Sequence, residues 1–431
     1  MPSGNESLPF AGLPFAGLNV LDFSWAVVGP VTTKYLAMYG ARVVKVETAR
    51  RPDASRMTGP YLDAKPGKNA SGMFANHNLS KLSVSLNLGS PKARDLARKL
   101  AAWADIVVEN FSPGVMDRMG LGYRELARAK PGLIMLSLSM QGQTGPRAGH
   151  PGLGHFLQSL AGLDDVTGFA EGPPGGPNQV LPDFISPWFA IAALASALEH
   201  RRRTGRGQYI DMSQYEVTLH LLAPALMRCA LDGRVLERQG NRSRSAAPHG
   251  VYRCRSEPDL PDLARDQRWV AIACFSDRQW LSLTRVMQRQ GLAQDARFAT
   301  LLARKRNEDE LDRLISAWTR KRAPREAMEL LQEAGVPSAG VSNGKDVLED
   351  PQLLARGHFA ELTHPVLGRR PFDGPAWRPF DGPALSMSGL APSIRPAPLF
   401  AEHNEHVYRD LLGLSENDIA DLVAEGVIDF V

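Results

Sequence analysis

The sequence predicts an α/β protein with a parallel sheet in its first half and a smaller α+β domain after it. Short β-branched runs alternate with helical patterns through the first half, and such strand–helix–strand units build parallel sheets. The chain has 431 residues, which exceeds the length at which one hydrophobic core usually stops growing. Hydrophobic residues make up 43% and charged residues 22% of the chain, a composition typical of globular proteins.

The strands predicted in the first half are short and apolar, and helical patterns lie between them. Strand patterns occur at 19–24, 41–47, 105–110, 133–139 and 209–213. Helical spacing occurs at 31–39, 92–104 and 184–200. Because ligands of parallel sheets bind at the carboxyl ends of the strands, we expect the functional residues in the turns that follow them.

A second region begins near residue 245 and combines a strand pattern with several helical patterns. The strand is WVAIAC at 269–274. Helices are predicted at 277–290, 308–320 and 324–334, and an amphipathic pattern at 416–426 predicts a last helix that packs on a core.

A short tandem repeat lies in the stretch 365–395, which is dense in Pro and Gly. RPFDGPA occurs at 370–376 and again at 378–384. The period is far below the 20–50 residues of repeat architectures. The repeat therefore indicates a duplication tolerated in a loop, where chain length has a weak thermodynamic effect.

Charge and cysteine usage favour a cytoplasmic protein that binds neither membranes nor nucleic acids. Cys229, Cys254 and Cys274 are few and widely spaced, which fits a reducing compartment and predicts no disulfide or metal site. No signal peptide and no apolar run long enough to span a membrane are recognised. The net charge is only +4, and the run Arg201–Arg203 lacks the interleaved aromatic residues typical of nucleic-acid binding.

Eight stretches together are similar to the family III CoA-transferases, which include formyl-CoA transferase, carnitine CoA-transferase and the related α-methylacyl-CoA racemase. The stretches occur in the family's order and span nearly the whole chain. They are LNVLDFSWAVVGP (18–30), GARVVKVE (40–47), ADIVVENFSPGVMDRMGLGY (104–123), GQTGP (142–146), LPDFISPWFA (181–190), RRTGRGQYIDMS (202–213), QGNRSRSAAPHGVYRC (239–254) and AEHNEHVYRDLLGLSENDIADLVAEGVI (401–428).

The resemblance implies a large, doubly wound, Rossmann-like domain and a smaller α+β domain in a ring-shaped subunit. Two such rings would interlock into a homodimer. The large CoA-binding domain would take 1–225 and be completed by 385–431. The small domain would take 245–345, between linkers at 226–244 and 346–384.

Asp183 precedes the long apolar helix pattern and has two interpretations. An Asp in this position is a good helix N-cap. The resemblance implies instead that Asp183 is the nucleophile of a CoA-transferase, which attacks an acyl-CoA, forms a mixed anhydride and then becomes an aspartyl-CoA thioester. An acceptor carboxylic acid takes the CoA from that thioester. The partners are then an acyl-CoA, with succinyl-CoA as a donor candidate, and a carboxylic acid, and no permanently bound cofactor is needed.

The resemblance also places coenzyme A along the turns that follow the strands. The implied contacts are Val27, Val28, Thr48, Leu86, Asn110, Phe111, Ser112, Arg118 and Ser139. In the turn that contains Val27, the backbone N–H groups would stabilise a developing oxyanion, whatever the side chains are. Family members often have Gln where this chain has Val27.

This chain lacks some of the family's basic residues around coenzyme A. Thr48, Gly89 and Ser139 stand where basic residues are common in the family. A less basic pocket is therefore expected, and the nearby cations that could compensate are Arg42, Arg50 and Arg51.

The loop that closes over the intermediate in the family corresponds to 240–250, and its implied substrate contacts are Gly240, Asn241, Arg242 and His249. It has few glycines in its centre, so it should be stiffer than in the family. Its arginines, Arg242 and Arg244, have two interpretations: they meet an acidic acceptor such as a dicarboxylate, or they belong to a solvated surface loop.

Two other functions remain open at the level of sequence. An acyl-CoA racemase needs two acid/base groups at the α-carbon, and in that branch a His lies about thirty residues before the Asp. Leu153 stands there in this chain, with His150 and His155 close by as candidates for a displaced base. A non-catalytic CoA-binding protein is the other alternative, although it would have no need of Asp183.

Overall fold

The structure is a computed structural model that describes residues 12–177, 179–257, 267–374 and 394–429. The described residues form two compact units. The first unit lies within Met1–Leu163, Pro177–Arg234 and Gly357–Val431, and the second within Asp164–Gly176 and Val235–Arg356. The stretch 164–176 thus groups with the second unit, whereas the sequence analysis places it within 1–225.

The first unit is built on a sheet whose strands alternate with helices along the chain. The strands are β1 (Asn19–Asp22), β2 (Arg42–Glu47), β3 (Leu82–Ser85), β4 (Ile106–Glu109), β5 (Ile134–Ser139) and β6 (Tyr209–Ser213). The helices up to residue 234 are α1 (Val28–Met38), α2 (Gly72–His77), α3 (Pro91–Trp103), α4 (Val115–Arg118), α5 (Tyr123–Ala129), α6 (Gly154–Leu160), α7 (Leu163–Val166), α8 (Leu181–Thr204), α9 (Gln214–Leu219) and α10 (Ala223–Asp232).

All pairings in this sheet are parallel, and the strand order is β3-β2-β1-β4-β5-β6. The chain moves outward from β1 to β3 and then crosses to the other side of β1 to form β4. The order therefore reverses between β1 and β4. At such a switch point the loops after the two strands diverge and open a crevice, which is where ligands of these folds bind.

Helices cover both faces of the sheet because alternate strand residues point to opposite sides. Val20 and Val43 face a core shared with α1 and α8. Leu21 and Val44 face a second core shared with α3 and α5. The α/β fold with a parallel sheet is therefore confirmed, and buried strands of this kind read as nearly continuous apolar runs.

Helix α8 differs from its sequence prediction in length. It begins at Leu181 and ends at Thr204, and by length and composition it is a candidate to cross a membrane, the one such helix among the described residues. The sequence shows no continuous apolar run long enough to span a membrane, whereas the average hydropathy over the helix is apolar. In the first unit α8 packs on α1 and buries residues such as Leu194 in the core of the sheet.

The second unit has an antiparallel sheet with helices packed on it. The strands β7 (His249–Arg253), β8 (Trp269–Ala273) and β9 (Ser338–Gly340) pair in that order. The helices are α11 (Asp277–Val286), α12 (Leu301–Arg306), α13 (Glu308–Thr319), α14 (Pro324–Glu333), α15 (Gly344–Leu348) and α16 (Pro351–Ala355). Its core contains Trp280, Leu283, Ile315 and Leu331.

The chain then returns to the first unit as an antiparallel hairpin, β10 (Phe359–His364) and β11 (Gly368–Asp373). The expectation that the repeat lies in a loop is wrong for the start of its first copy, which supplies the last four residues of β11. Phe372 is buried against a small cluster that contains Phe74, and this burial explains why the segment forms a strand. The second copy lies outside the described residues.

The C-terminal segment packs on the face of the sheet that α3 and α5 also cover. It contains a π-helical turn at His406–Leu411 and α17 (Glu416–Ala424). Tyr408 is fully buried, and its hydroxyl donates a hydrogen bond to the carbonyl of Ser85 at 2.6 Å. The end of the chain thereby covers the edge strand β3.

Candidate active site

The turn between β1 and α1 lies at the switch point and is held by hydrogen bonds from both sides. The Trp25 N–H donates to Asn110 Oδ1 at 3.0 Å, and Asn110 Nδ2 donates to the Trp25 carbonyl at 2.8 Å. Asn110 follows β4, so these bonds join the two loops that diverge at the switch point. Ala26 has a φ of 65°, a conformation that non-glycine residues adopt only when their surroundings enforce it.

A buried ion pair below the turn fixes Ala26. The Ala26 N–H donates to Asp53 Oδ1 at 2.9 Å. Asp53 in turn pairs with Lys45 at 2.8 Å, and Lys45 donates to the Ser24 carbonyl at 2.7 Å. Burial opposes ionisation of Asp53, but Lys45 and the hydrogen bonds from Ser55 outweigh it, so the pKa of Asp53 lies below its ordinary value. Sequence reasoning missed Asp53 because nothing local marks it as a partner of the turn.

Val27 and Val28, at the start of α1, line the cavity that opens beside this turn. Among the described residues, the backbone N–H groups of Val27 and Val28 donate to no protein acceptor. The first N–H groups of a helix have no partner within the helix. They are therefore available to an oxyanion or another acceptor on a ligand.

Asp183 lies in the first turn of α8, at its third residue. The N-cap interpretation is wrong, because the helix begins two residues earlier and its N-cap is Val180. The Leu181 N–H is satisfied by Gln158 Oε1 at 2.7 Å. The Asp183 carboxyl lies close to the start of α6, since a Cβ built on Gly154 would stand 3.3 Å from Oδ2.

Burial raises the pKa of Asp183 to about 7, and no neighbouring charge opposes this effect. Among the described residues, no ion pair or hydrogen bond stabilises its carboxylate side chain. Desolvation disfavours the charged form of a carboxyl. A strongly shifted pKa in a cleft is typical of functional carboxylates.

Two adjoining cavities open at the carboxyl edge of the sheet. The first has a volume of about 500 Å³ and contains Asp183 in its wall. The second has a volume of about 540 Å³ and lies at the ends of β2, β3 and β4. The two cavities share the residues Trp25, Arg51, Asn110, Phe111 and Ser112.

Most of the predicted coenzyme A contacts line one or both cavities. Val27, Val28 and Ser139 line the Asp183 cavity, and Thr48 and Leu86 line the second cavity. Asn110, Phe111 and Ser112 line both.

Arg118 differs from these predicted contacts because it is not in the described wall of either cavity. It is an exposed residue at the end of α4. Its guanidinium lies beside Gly114 in the turn after β4, where a Cβ on Gly114 would stand 3.1 Å from Arg118 Nη1.

Three arginines line the second cavity and supply the positive charge that Thr48 and Gly89 do not. Arg50 and Arg51 follow β2, and the Arg51 guanidinium lies 4.4 Å from the centre of the Trp25 ring. Arg94, on α3, was missed by sequence reasoning because only the packing of α3 beside β3 brings it to the cavity.

Arg42 was also a candidate cation, and this expectation is wrong. Arg42 begins β2 and is therefore at the amino edge of the sheet, opposite the cavities.

Gln214 and Glu109 are further polar residues of this edge that sequence reasoning missed. Gln214 follows β6 directly and lines the Asp183 cavity. Glu109 ends β4, and burial raises its pKa to about 7. Its carboxyl accepts the Phe111 N–H at 2.7 Å and lines a third cavity of about 470 Å³, whose wall also contains Ser112. Glu109 lies within the family-like stretch 104–123 and Gln214 directly follows the stretch 202–213, so their position at the ends of predicted strands was the signal that could have found them.

Of the two histidines considered as a displaced racemase base, only one lines the described wall of the Asp183 cavity. His150 and Leu153 line the Asp183 cavity. His155, on α6, is exposed and is not in the described wall of that cavity.

The four predicted loop contacts belong to the second unit and line a cavity of about 450 Å³ there, namely Gly240, Asn241, Arg242 and His249. Arg242 forms ion pairs with three carboxylates of α13: Glu308 at 3.9 Å, Asp309, and Asp312 at 3.2 Å. The His249 ring contacts the Asn241 carbonyl at 2.6 Å. Arg242 is therefore exposed and paired with carboxylates of its own unit.

Residues 15–404 match the family model of CoA-transferase family III. The chain belongs to CoA-transferase family III. It is 31% identical to the succinyl-CoA–D-citramalate CoA-transferase of Chloroflexus aurantiacus over 96% of this chain and 98% of that protein. It is 28% identical to the succinyl-CoA:glutarate CoA-transferase of Mus musculus over 96% of this chain and 90% of that protein.

The fold of this family III chain is also similar to that of a solved relative. A crystal structure of a CAIB/BAIF family protein from Brucella suis superposes with a TM-score of 0.80 at 29% identity, covering 93% of this chain and 99% of the other. The predicted family and enzyme class are thus confirmed: the protein is an acyl-CoA:carboxylate CoA-transferase.

Proposed function

We propose that this family III enzyme exchanges coenzyme A between two carboxylic acids through a covalent intermediate on Asp183. The observation that carries the proposal is the carboxyl of Asp183, which lies desolvated and without a counter-charge in the wall of one cavity. The adjoining cavity, lined by Arg50, Arg51 and Arg94, suits the phosphates of coenzyme A. In this arrangement the thioester reaches Asp183 past the shared residues Trp25 and Asn110.

The exchange consists of four acyl transfers. The Asp183 carboxylate attacks the thioester carbonyl of the donor, and CoA thiolate leaves as the mixed anhydride forms. The thiolate then attacks the Asp183 carbonyl, which releases the donor acid and leaves an aspartyl-CoA thioester. The acceptor carboxylate attacks that thioester and forms a second anhydride, and the thiolate takes the acceptor's acyl group and frees Asp183.

Two features of the cavity support these steps. The free N–H groups of Val27 and Val28 would donate to the oxygen that becomes negative during each attack, and such donors strengthen as charge develops. The thiolate stays close because its nucleotide end is bound in the second cavity, so its attack on the Asp183 carbonyl is effectively intramolecular.

The donor and acceptor acids are proposed from the relatives. Two relatives, 31% and 28% identical to this chain, are CoA-transferases for succinyl-CoA with D-citramalate or with glutarate. We therefore propose succinyl-CoA as the donor and a dicarboxylic acid as the acceptor. No permanently bound cofactor is required by this chemistry, because coenzyme A enters and leaves as part of the substrates.

A cytoplasmic homodimer is the proposed state of the enzyme. Cys229, Cys254 and Cys274 are unpaired, as is usual in reducing compartments. The first unit leaves large apolar side chains exposed on three helices, an exposure that marks interaction surfaces. They include Leu153, Phe156 and Leu160 on and before α6, Trp188 and Phe189 on α8, and Leu226, Met227 and Leu231 on α10.

Trapping the intermediate tests the proposed mechanism. Incubation with succinyl-CoA and no acceptor should convert Asp183 into a CoA thioester, so hydroxylamine or borohydride should inactivate donor-treated enzyme and spare untreated enzyme. Mass spectrometry should place the adduct on the peptide that contains Asp183. Asp183→Ala is the control: it should bind coenzyme A, form no adduct and lose exchange by several orders of magnitude.

Other outcomes would redirect the assignment. An adduct on a different carboxylate, or an Ala variant with a tenth of the wild-type rate, would rule out Asp183 as the nucleophile. A racemase would exchange the α-proton of its acyl-CoA with solvent deuterium and form no adduct, with His150 as the second base to examine. Binding of acyl-CoA without exchange or adduct would indicate a non-catalytic binding protein.

A further inference from the structure

Helix α8 begins without a capping side chain of its own. Its N-cap residue is Val180, which accepts no side-chain hydrogen bond, and its second residue is Pro182, which has no N–H. The Leu181 N–H turns back to the Gln179 carbonyl at 2.8 Å. Val180 between them has a φ of −74° and a ψ of 71°, the dihedral angles of an inverse γ-turn. The helix that carries Asp183 is therefore entered through a tight turn.

Gln158, on α6, supplies the missing cap from a neighbouring helix. The residue is 2% exposed, and its Oε1 accepts a hydrogen bond from the Leu181 N–H at 2.7 Å. Its Nε2 donates to the Pro177 carbonyl at 3.5 Å. An amide has both an acceptor and donors, so one side chain joins the segment before α8 to the first residue of the helix. Because the side chain is buried and engaged at both ends, it fixes the start of α8 against α6.

Gly154 lies one helical turn before Gln158, so the two residues share one face of α6. Both are buried. A Cβ on Gly154 would stand 2.9 Å from the Val180 Cβ, closer than carbon atoms pack, and 3.3 Å from Asp183 Oδ2. The start of α8 is therefore held against α6 at two points one turn apart, a close approach at Gly154 and a hydrogen bond at Gln158.

The side chain of Asp183 depends on this support for its position. Among the described residues its carboxyl has no hydrogen bond or ion pair, so its place in the cavity is set by the backbone of the first turn of α8. In the proposed reaction the carboxyl must meet a thioester carbonyl, and a misplacement of about 1 Å can cost about a hundredfold in rate. A residue that fixes this backbone can therefore set the rate without touching the substrate.

We propose that Gln158 is the positioning residue of the nucleophile: its amide holds the first turn of α8 where the Asp183 carboxyl meets the thioester. The inference rests on the proposed function, because that function takes Asp183 as the nucleophile. Gln158 is not in the described wall of the Asp183 cavity or of the adjoining one. It acts through the backbone of α8, so its loss should change the rate of attack and not the binding of acyl-CoA.

The test measures the rate of attack and the binding of the donor separately. Gln158→Met keeps the length of the side chain and removes both hydrogen bonds. With succinyl-CoA and no acceptor, the single-turnover rate constant of thioester formation at the high-pH plateau should fall by about thirtyfold to a hundredfold. The succinyl-CoA concentration that gives half of the maximal rate should change by less than about twofold, since only an interaction made during the attack is lost.

The conservative variant restores the bond that the inference depends on. Gln158→Glu keeps an oxygen that accepts the Leu181 N–H in either protonation state. Its rate constant on the same plateau should return to within about fivefold of wild type, because the hydrogen bond to the start of α8 is kept. Gly154→Ala pushes against Val180 from the other contact point and should also lower the rate constant. It replaces Gln158→Met if the latter does not fold.

Gln279→Met is the matched control. The Phe275 N–H donates to Gln279 Oε1 at 2.7 Å, so this variant removes the same kind of bond at the same length, within the second unit. Any loss of stability should be similar in the two Met variants, because each removes a hydrogen bond between a backbone N–H and a glutamine side chain. The rate constant of Gln279→Met should equal that of wild type.

The outcomes separate this inference from the proposed function. A purely structural residue lowers the fraction of enzyme that forms the thioester and leaves the rate constant of the remainder unchanged, and this result for Gln158→Met would overturn the inference. So would a Gln158→Glu variant that is as slow as Gln158→Met. Failure of the wild-type enzyme to form the Asp183 thioester would overturn the proposed function itself.

Discussion

The reactivity of Asp183 follows from its burial without a positively charged partner among the described residues. Its pKa is about 7 rather than the ordinary 3.8, and burial is the cause. A carboxylate that holds its proton more tightly is also a stronger nucleophile once it is ionised, and general principles of catalysis favour groups whose pKa lies near the working pH. A positive neighbour would have ionised Asp183 fully and made it less reactive.

The pH dependence of the first half-reaction follows from this pKa. Below about pH 7 Asp183 is mostly protonated and does not attack, so the single-turnover rate of thioester formation should fall about tenfold per pH unit. Above pH 7 the rate should level off. The measurement is a quenched reaction with succinyl-CoA between pH 5.5 and 8.5. A rate that does not change across this range would contradict the raised pKa of Asp183.

The same shift has a consequence for stability. Because the folded pKa of Asp183 is above its unfolded value, ionisation opposes folding progressively as pH rises from about 3.8 through about 7. Asp183→Asn has no such proton to lose. Its melting temperature relative to wild type should therefore be higher at pH 8 than at pH 5, as measured by thermal unfolding, and a difference independent of pH would contradict the shift.

At the scale of elements, the link between α8 and β6 contains glycines that act in different ways. Gly205 ends α8 with a φ of 71°, and a Cβ there would meet nothing within 4 Å. A Cβ on Gly207 would stand 1.8 Å from the Leu133 carbonyl oxygen. The Gly207 N–H donates to the Pro131 carbonyl at 2.8 Å. Gly207 therefore lets β6 approach β5 and brings Gln214 to the site.

Substitution of these glycines should have unequal effects. Gly207→Ala forces the backbone apart and should lower the free energy of unfolding by about 2–3 kcal/mol, as overpacking does. Gly205→Ala, the control, imposes only a left-handed conformation and should lower it by about 1–2 kcal/mol. Denaturant titration measures both. Equal losses would show that the contact with Leu133 is easily relieved.

At the scale of the whole molecule, the first unit is assembled from segments that are distant in sequence. The hairpin of β10 and β11 and the C-terminal segment both return to it, and Asn87 N–H donates to the Val427 carbonyl at 2.9 Å. The exposed apolar residues of α6, α8 and α10 belong to this unit as well. Both features bear on how the chain folds and associates.

Deletion of residues 370–377 should be tolerated although it removes part of β11. The second copy of RPFDGPA then follows Arg369 directly, so β11 regains the same sequence, and shortening the connection has a weak effect. The free energy of unfolding should change by less than about 1 kcal/mol. Deletion of 370–384 is the control and should be destabilising, because it removes both copies. Aggregation of the shorter deletion would show that the second copy has its own structural role.

The proposed homodimer is tested by measuring the mass in solution and by substituting an exposed leucine of the first unit. Light scattering after size-exclusion chromatography should give twice the mass of 47.0 kDa. Leu231→Asp, at a side chain that is 80% exposed, should weaken association, because it places a charge in an apolar interface. Leu302→Asp, on α12, is a control at an exposed leucine of the second unit. A monomeric wild-type protein would contradict the proposed dimer.

Local patterns in the sequence were sufficient for the family, the enzyme class and most strands of the sheet. The strand β3 was missed because its serines are buried: Ser83 Oγ donates to Glu47 Oε1 at 3.0 Å, and Ser85 Oγ donates to the Asp429 carbonyl at 2.8 Å. Polar residues that are satisfied inside a sheet produce no apolar pattern. The start of α8 was misplaced because Pro182 reads as a boundary, although proline is well tolerated in the first turn of a helix.

By itself the sequence determined the α/β class, the ordered motifs of family III and the position of Asp183 near the start of an apolar helix. The domain limits, the dimer and the chemical roles of the site residues stay predictions. Only the tertiary structure brought Asp53, Arg94 and Gln214 to the crevice and left Asp183 without a counter-charge. The physical reason is that hydrophobic periodicity is a property of neighbouring residues, whereas strand order, desolvation and unpaired buried atoms arise between segments that are far apart along the chain.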